Sequence, residues 1–249
     1  MVLSFPAIPG PWLSSDCYDS LILAEGQHLP PSSKIRKFLL SQRQATAQIM
    51  REIVTDILTW SWFSEPHHYY FNGHLVRDPG GNICIDPVEL AEDSLDAIAI
   101  EGVARILLTN RNHSRAANRV RDRTGARTAI HGSDAEHARN EGAELDDTLE
   151  VGERIGPLEV INAAGKSPGE VALFWRDRGI LIVGDAVIGN PSGHCGLLPD
   201  RVKDNPAGLR GSVRKFLDLD FDTLLVGDGE SILENAKARL EELVATFPD

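Results

Sequence analysis

Two short apolar runs in this chain end in the same pair of residues, Gly-Asp. They are Ile180-Leu181-Ile182-Val183-Gly184-Asp185 and Thr223-Leu224-Leu225-Val226-Gly227-Asp228. A third run, Ile106-Leu107-Leu108-Thr109, breaks instead into Asn110-Arg111-Asn112-His113-Ser114-Arg115. Short β-rich runs without polar alternation read as strands buried on both faces. Layered α/β folds place their sites at the carboxyl ends of such strands. Three strand ends therefore point to one site.

The 249 residues, 42% hydrophobic and 25% charged, suffice for one substantial core, and one domain with an extension is the expected division. A net charge of −12 argues against general affinity for nucleic acid or an anionic membrane, because the mean field repels phosphates. Cys17, Cys84 and Cys195 are widely separated and odd in number, so no disulfide framework or zinc knuckle is indicated. The start of the chain has no basic segment and carries Pro6, Pro9 and Pro11. Nor does any apolar run reach the roughly 18 residues of a membrane span. A reducing cytoplasm is the expected location.

Apolar residues Ile35, Phe38, Leu39, Ile49, Ile53 and Ile57 recur at helical spacings after Ser33, a suitable N-cap. An amphipathic helix over about 34–58 is expected, within an N-terminal extension of residues 1–60 that precedes a main domain at 61–249. Such a helix needs a partner surface, either the main body or a second copy of the chain. The cluster Trp60, Trp62, Phe63, Tyr69, Tyr70 and Phe71 then enters the core. Residues 72–86 read as a hairpin about Asp78-Pro79-Gly80-Gly81-Asn82. Short helices are expected at 95–100 and 115–123, the latter closed by Gly125, with a strand at 128–130. A turn at 155–157, a strand at 158–161, a hairpin of 171–175 with 180–183, and a closing helix over 230–246 complete the pattern. Strands come in hairpins broken by helices, which favours an α+β sandwich of two mixed sheets with helices outside.

These pieces in this order carry a resemblance. The segments Asn72-Gly73-His74-Leu75-Val76, Ile83-Cys84-Ile85-Asp86-Pro87, Ile106-Leu107-Leu108-Thr109, Gly165-Lys166-Ser167-Pro168-Gly169, Val183-Gly184-Asp185 and Val226-Gly227-Asp228-Gly229 resemble the metallo-β-lactamase superfamily, the fold of glyoxalase II and the lactonases. The resemblance implies an αββα sandwich and a site built on a Thr-His-x-His-x-Asp-His loop that binds two metal ions. At the matching positions this chain has Asn110 and Asn112 for the first two histidines, Ser114 for the aspartate and Arg115 for the last histidine. Lys166 stands for the histidine of the Gly-His-Thr-Pro-Gly element, and Asp228 for that of Gly-His-Gly. Asp185 alone keeps the identity of the family's ligand, the metal-bridging aspartate. Sites of this type need converging neutral imidazoles and carboxylates, whereas Asn is a weak ligand and Lys or Arg repels the ion. No dinuclear centre and no cofactor is expected.

Lys166 and Arg115 bring two positive charges beside Asp185 and Asp228, so two ion pairs are expected where two metals stood. The resulting function is a non-catalytic binding protein or a metal-independent enzyme. The alternative is a hydrolase of esters, thioesters or lactones in which Asp185, Asp228 and His113 or His194 hold one divalent ion. His194 beside Cys195 also suggests a thiol nucleophile, and Ser114 with Lys166 a hydroxyl one. A small molecule or an anion is the expected ligand. Seven arginines between Arg105 and Arg127 suggest either an anion-binding face or a solvated helix face.

Overall fold

The computed structural model describes residues 49–248. A seven-stranded sheet comes first, in the spatial order of its sequence: β1 (Arg51–Val54), β2 (Ile57–Ser64), β3 (Tyr69–Val76), β4 (Ile83–Ile85), β5 (Arg105–Leu108), β6 (Arg127–His131) and β7 (Asp147–Leu149). Its first four strands are antiparallel and its last pairings parallel, because helices α1 (Glu92–Glu101), α2 (Ala117–Thr124) and α3 (Gly132–Asn140) connect the later strands. A second, five-stranded sheet has the order β12-β11-β10-β9-β8. Its strands are β8 (Arg154–Ile155), β9 (Leu158–Asn162), β10 (Val171–Trp175), β11 (Ile180–Val183) and β12 (Thr223–Val226). Helices α4 (Pro206–Phe216) and α5 (Ala236–Val244) flank β12 in sequence.

Three apolar layers hold these elements, and the unalternated runs explain them. Ile106 and Leu108 of β5 pack with Ile98, Val120 and Ala135 of the helices on one side, while Leu107 faces the other sheet. In β11, Leu181 and Val183 meet Leu209, Val213 and Leu240 of α4 and α5, whereas Ile180 and Ile182 join Leu107 between the sheets. Leu224, Val226 and Leu225 of β12 divide the same way. Each run is apolar throughout because both of its faces are buried, one against helices and one against the opposite sheet. The result is an αββα sandwich.

The helix expected over 34–58 is corrected at its end. Residues 51–54 and 57–64 are antiparallel strands joined by a turn in which Asp56 adopts a φ of 61°. Ile49, Ile53 and Ile57 have helical spacing, but β-branched residues on either side of a two-residue turn satisfy a hairpin better. The sheet thus begins at Arg51, before the boundary expected at residue 60. The remainder of the expected helix, and the self-association assigned to it, lie outside the described residues. The closing helix is also shorter than 230–246, because Ile232 makes a bridge back to Leu224 and Asn235, at φ 58°, turns the chain before α5. No helix among the described residues is long and apolar enough to cross a membrane.

Candidate functional site

The two Gly-Asp pairs lie side by side because β11 and β12 are parallel neighbours in matched register, Val183 opposite Val226. The Gly227 amide donates to the Val183 carbonyl at 2.9 Å, extending the ladder by one step. Asp185 and Asp228 follow, each 4% exposed. The glycines have a steric reason. A Cβ on Gly184 would meet Thr109 Oγ1 at 2.2 Å and Asn110 Nδ2 at 2.9 Å, and one on Gly227 would meet His113 Cε1 at 2.9 Å. Bare backbone at these positions lets the loop after β5 lie directly across the strand ends.

That loop delivers His113, which is fully buried with a carboxylate at each ring nitrogen: Nδ1 lies 2.8 Å from Asp86 Oδ2 and Nε2 lies 3.2 Å from Asp185 Oδ1. Burial and the nearby Arg115 oppose a charge on the ring, but Asp86 and Asp185 outweigh them and lift its pKa to about 9. The imidazolium therefore donates to both carboxylates. Asp86, at the end of β4, is fixed in turn by the Thr109 amide at 2.8 Å and by the Thr109 hydroxyl.

Lys166 arrives from the β9–β10 loop. Its Nζ is 2.6 Å from Asp185 Oδ2 and also donates to Asn112 Oδ1. Burial alone would raise the Asp185 carboxyl, yet His113 and Lys166 hold it well below the usual carboxylate range. Asp134, wholly buried at the start of α3, ties the two loops together. It accepts from the Arg111 amide at 3.0 Å, the Gly169 amide at 2.9 Å and the Ser167 hydroxyl. Beside Asp185 lies Glu170, also buried, with the Asp185 amide facing its carboxyl but neither oxygen in hydrogen-bonding geometry. Burial and the Asp185 charge push the Glu170 carboxyl well above its ordinary range.

On the other side Arg115 donates from Nη2 to Asp228 Oδ1 at 3.3 Å while its guanidinium stacks 4.2 Å above the Phe71 ring. The Tyr69 hydroxyl contacts Asp228 Oδ2 at 3.5 Å. Burial and the Asp185 charge raise the Asp228 carboxyl despite Arg115. The cluster thus sets three cations, His113, Lys166 and Arg115, against three carboxylates, Asp86, Asp185 and Asp228.

The structure brings together Asn112, Arg115, Lys166, Asp185, Asp228 and His113. Asn110 lies beside them, buried, its Nδ2 without a partner and its Oδ1 accepting from the Asn112 amide at 2.9 Å. The Lys166 ammonium is committed to Asn112 and Asp185, which gives a base role toward Ser114 no support. His194 is exposed and outside the converging group, so the expected third donor is not there. Adjacency in the chain after Asp185 did not translate into approach. Burial pushes the Cys195 thiol up to about 12, the opposite of an activated nucleophile. Six of the seven arginines face carboxylates: besides Arg115, Arg111 pairs with Asp204, Arg119 with Glu89 and Glu92, Arg121 with Glu144 and Asp146, Arg123 with Glu92 and Asp96, and Arg127 with Asp147. His131 serves as the N-cap of α3.

Asp86, Asp134 and Glu170 are cluster residues that sequence reasoning missed, although Asp86 lies in one of the segments that carried the resemblance. Only positions near the Gly165–Gly169 element, and the start of an unforeseen helix, hinted at the other two.

A sequence profile of the metallo-β-lactamase superfamily matches residues 50–247, and the chain belongs to that superfamily. Among solved structures it is similar to a metallo-β-lactamase from Pontibacter korlensis, at 15% identity and a TM-score of 0.66, covering 80% of this chain and 99% of that one. It is also similar to the metallo-β-lactamase family protein TTHA1429 from Thermus thermophilus, at 19% identity and a TM-score of 0.60, covering 78% and 79%. A third similar structure is TTHA1623 in a di-iron-bound form, at 23% identity and a TM-score of 0.58, covering 73% and 98%. These likenesses are to the fold. No curated protein matches the sequence.

Proposed function

We propose that this chain is a metal-independent member of its superfamily, in which an internal ionic cluster has replaced the dinuclear centre, and that it acts as a binding protein or as an enzyme of altered chemistry. The observation that carries this reading is the Lys166 ammonium, 2.6 Å from Asp185 Oδ2 and bonded to Asn112. A cation already sits where the bridging carboxylate would meet a metal. The rest of the donor set agrees. Asn110 already accepts from the Asn112 amide and Asn112 from the Lys166 ammonium, so both oxygens are engaged within the protein. Arg115 is drawn to Asp228. Two hard divalent ions in this pocket would face two or three fixed positive charges. The residues present do not fit a dinuclear centre.

A second reading has one observation in its favour. Among the described residues His113, Asp185 and Asp228 place one ligand atom each within 4.8 Å of one another. An ion held there would supply Lewis-acid polarisation of an ester, thioester or lactone carbonyl.

Metal analysis of the purified protein separates the two. The first reading expects less than about 0.1 zinc, iron or manganese per chain after brief chelation, and any ester or thioester turnover unchanged by chelator. Stoichiometric metal, with turnover that chelator abolishes, establishes the second reading instead.

A further inference from the structure

A groove separate from the ionic cluster lies at the other end of the strands. Arg77 and Asp78 follow β3, and Trp175 and Arg178 flank the start of the turn that leads into β11, at the opposite end of that strand from Asp185. Two adjoining cavities of about 390 and 330 Å³ form the groove, and both are lined by Asp78, Pro79 and Glu101. The first runs on to Asp56 and Trp175, the second to Val103. We propose that this groove binds a linear organic dication, an α,ω-diamine or a longer polyamine.

Its walls are fixed by the protein's own bonds. The Asp78 amide donates to Asn82 Oδ1 at 3.1 Å and Asn82 Nδ2 donates to the Glu101 carbonyl at 2.8 Å, which ties the turn to the end of α1. Arg77 closes the same wall through two bonds to the Glu101 carboxylate, from Nε at 2.9 Å and from Nη2 at 2.5 Å. Charge then selects the ligand. Four carboxylates, Glu52, Asp56, Asp78 and Glu101, stand against two cations, Arg77 and Arg178, so two negative charges are in excess. Asp78 pairs with no cation among the described residues, and its Oδ2 accepts from the Gly80 amide at 3.1 Å. Asp78 Oδ1 is unused, as is Asp56 Oδ1, because Arg178 is bound to Oδ2 of Asp56.

Trp175 supplies an element independent of the carboxylates. Its ring lines the cavity and already carries the Arg178 guanidinium 4.7 Å from its centroid, so this indole accepts an organic cation in place. A compact inorganic ion would leave Pro79, Trp175 and Val103 without a partner. Methylenes between two ammonium groups fit both kinds of lining, with an apolar stem for these three side chains and a charged end for each free carboxylate oxygen.

The test is isothermal calorimetry on the full chain at pH 7.5, where alkylamines are protonated, in about 150 mM salt, which screens the general field of the acidic surface beyond about 8 Å. The probes are 1,5-diaminopentane and spermidine, with pentylamine and 1,5-pentanediol as controls. Wild type is expected to bind about one diamine or one spermidine per chain, at least about tenfold more tightly than pentylamine, and to give no heat with the diol. Asp78→Asn, which keeps an acceptor for the Gly80 amide, and Trp175→Leu should each weaken diamine binding at least about tenfold. Glu136→Gln, at an exposed carboxylate of α3, should change it less than about twofold. The absence of saturable binding overturns the inference. Equal weakening by Glu136→Gln and Asp78→Asn also overturns it, since the diamine would then follow only the overall negative charge. Pentylamine binding as tightly as the diamine removes the dication. If Trp175→Leu does not fold, Asp78→Asn decides alone. The metal-independent reading of the strand ends stands or falls separately, on metal content.

Discussion

The ring of His113 rests against the bare α-carbon of Gly227, so close that a methyl group there would come within 2.9 Å of Cε1. Matched packing of Thr109 and Asn110 on Gly184 makes the two glycines a single device for seating the β5 loop. Gly184→Ala, with contacts at 2.2 and 2.9 Å, is expected to cost about 1–3 kcal/mol, the usual range for overpacking a tight site, and more than Gly227→Ala. Urea titrations of the two variants, compared at equal m-value, check the order.

Breaking the pair between Lys166 and Asp185 from one side should be costly. Lys166→Met leaves buried Asp185 with His113 as its remaining cationic partner and its Oδ2 stripped of the ammonium, and is expected to lose about 3 kcal/mol in a denaturant titration without added metal. Asp185→Asn in the same chain should recover much of that loss. A cost below about 1 kcal/mol for the single variant contradicts the buried-pair account.

Stability should depend on pH through two histidines in opposite senses. His113 has a folded pKa of about 9, above its unfolded value, so its contribution is complete below about 6.5 and is lost as pH rises through about 9. His74, buried and depressed to about 4, remains neutral in the fold and takes up a proton on unfolding. Stability therefore falls as pH drops from about 6.5 towards 4. Thermal melts from pH 4 to 10 should peak between these limbs. His113→Gln should flatten the alkaline limb while leaving the acid limb in place.

Asp134 holds backbone amides that are 23 and 35 residues away from it in the chain. Asp134→Ala is expected to lose about 2–4 kcal/mol, as a buried carboxylate serving several donors does. Hydrogen exchange by mass spectrometry should show faster exchange in peptides covering Arg111 and Gly169. Unchanged protection there removes Asp134 as the tie between the two loops.

Cys195, with its thiol pushed up to about 12, should resist iodoacetamide at pH 7.5. Alkylation mapped by peptide mass is expected to be at least about tenfold slower than for glutathione, because the thiolate is the reacting species. Labelling as fast as glutathione revives the nucleophile reading.

The strand ends were legible because burial on both faces leaves a run with no polar alternation, and because Gly-Asp is an unusual way to leave it. Lys166 beside Asp185 and Arg115 beside Asp228 could be anticipated from charge at matching positions. Ile49, Ile53 and Ile57 misled because a spacing of four serves a helix face and also occurs across a hairpin turn at Asp56, where tertiary pairing decides. Asp134 and Glu170 left no periodic mark, since their partners are distant in the chain and become neighbours only when the loops meet. His194 shows the converse: closeness in sequence to Asp185 gave an exposed side chain.

A closed set of three positive and three negative charges has little reach. Beyond a screening length of about 8 Å its field largely cancels, so a solute in bulk solvent senses the surface carrying most of the net −12, not the strand ends. Added salt should therefore screen the acidic surface strongly and the buried pairs hardly at all.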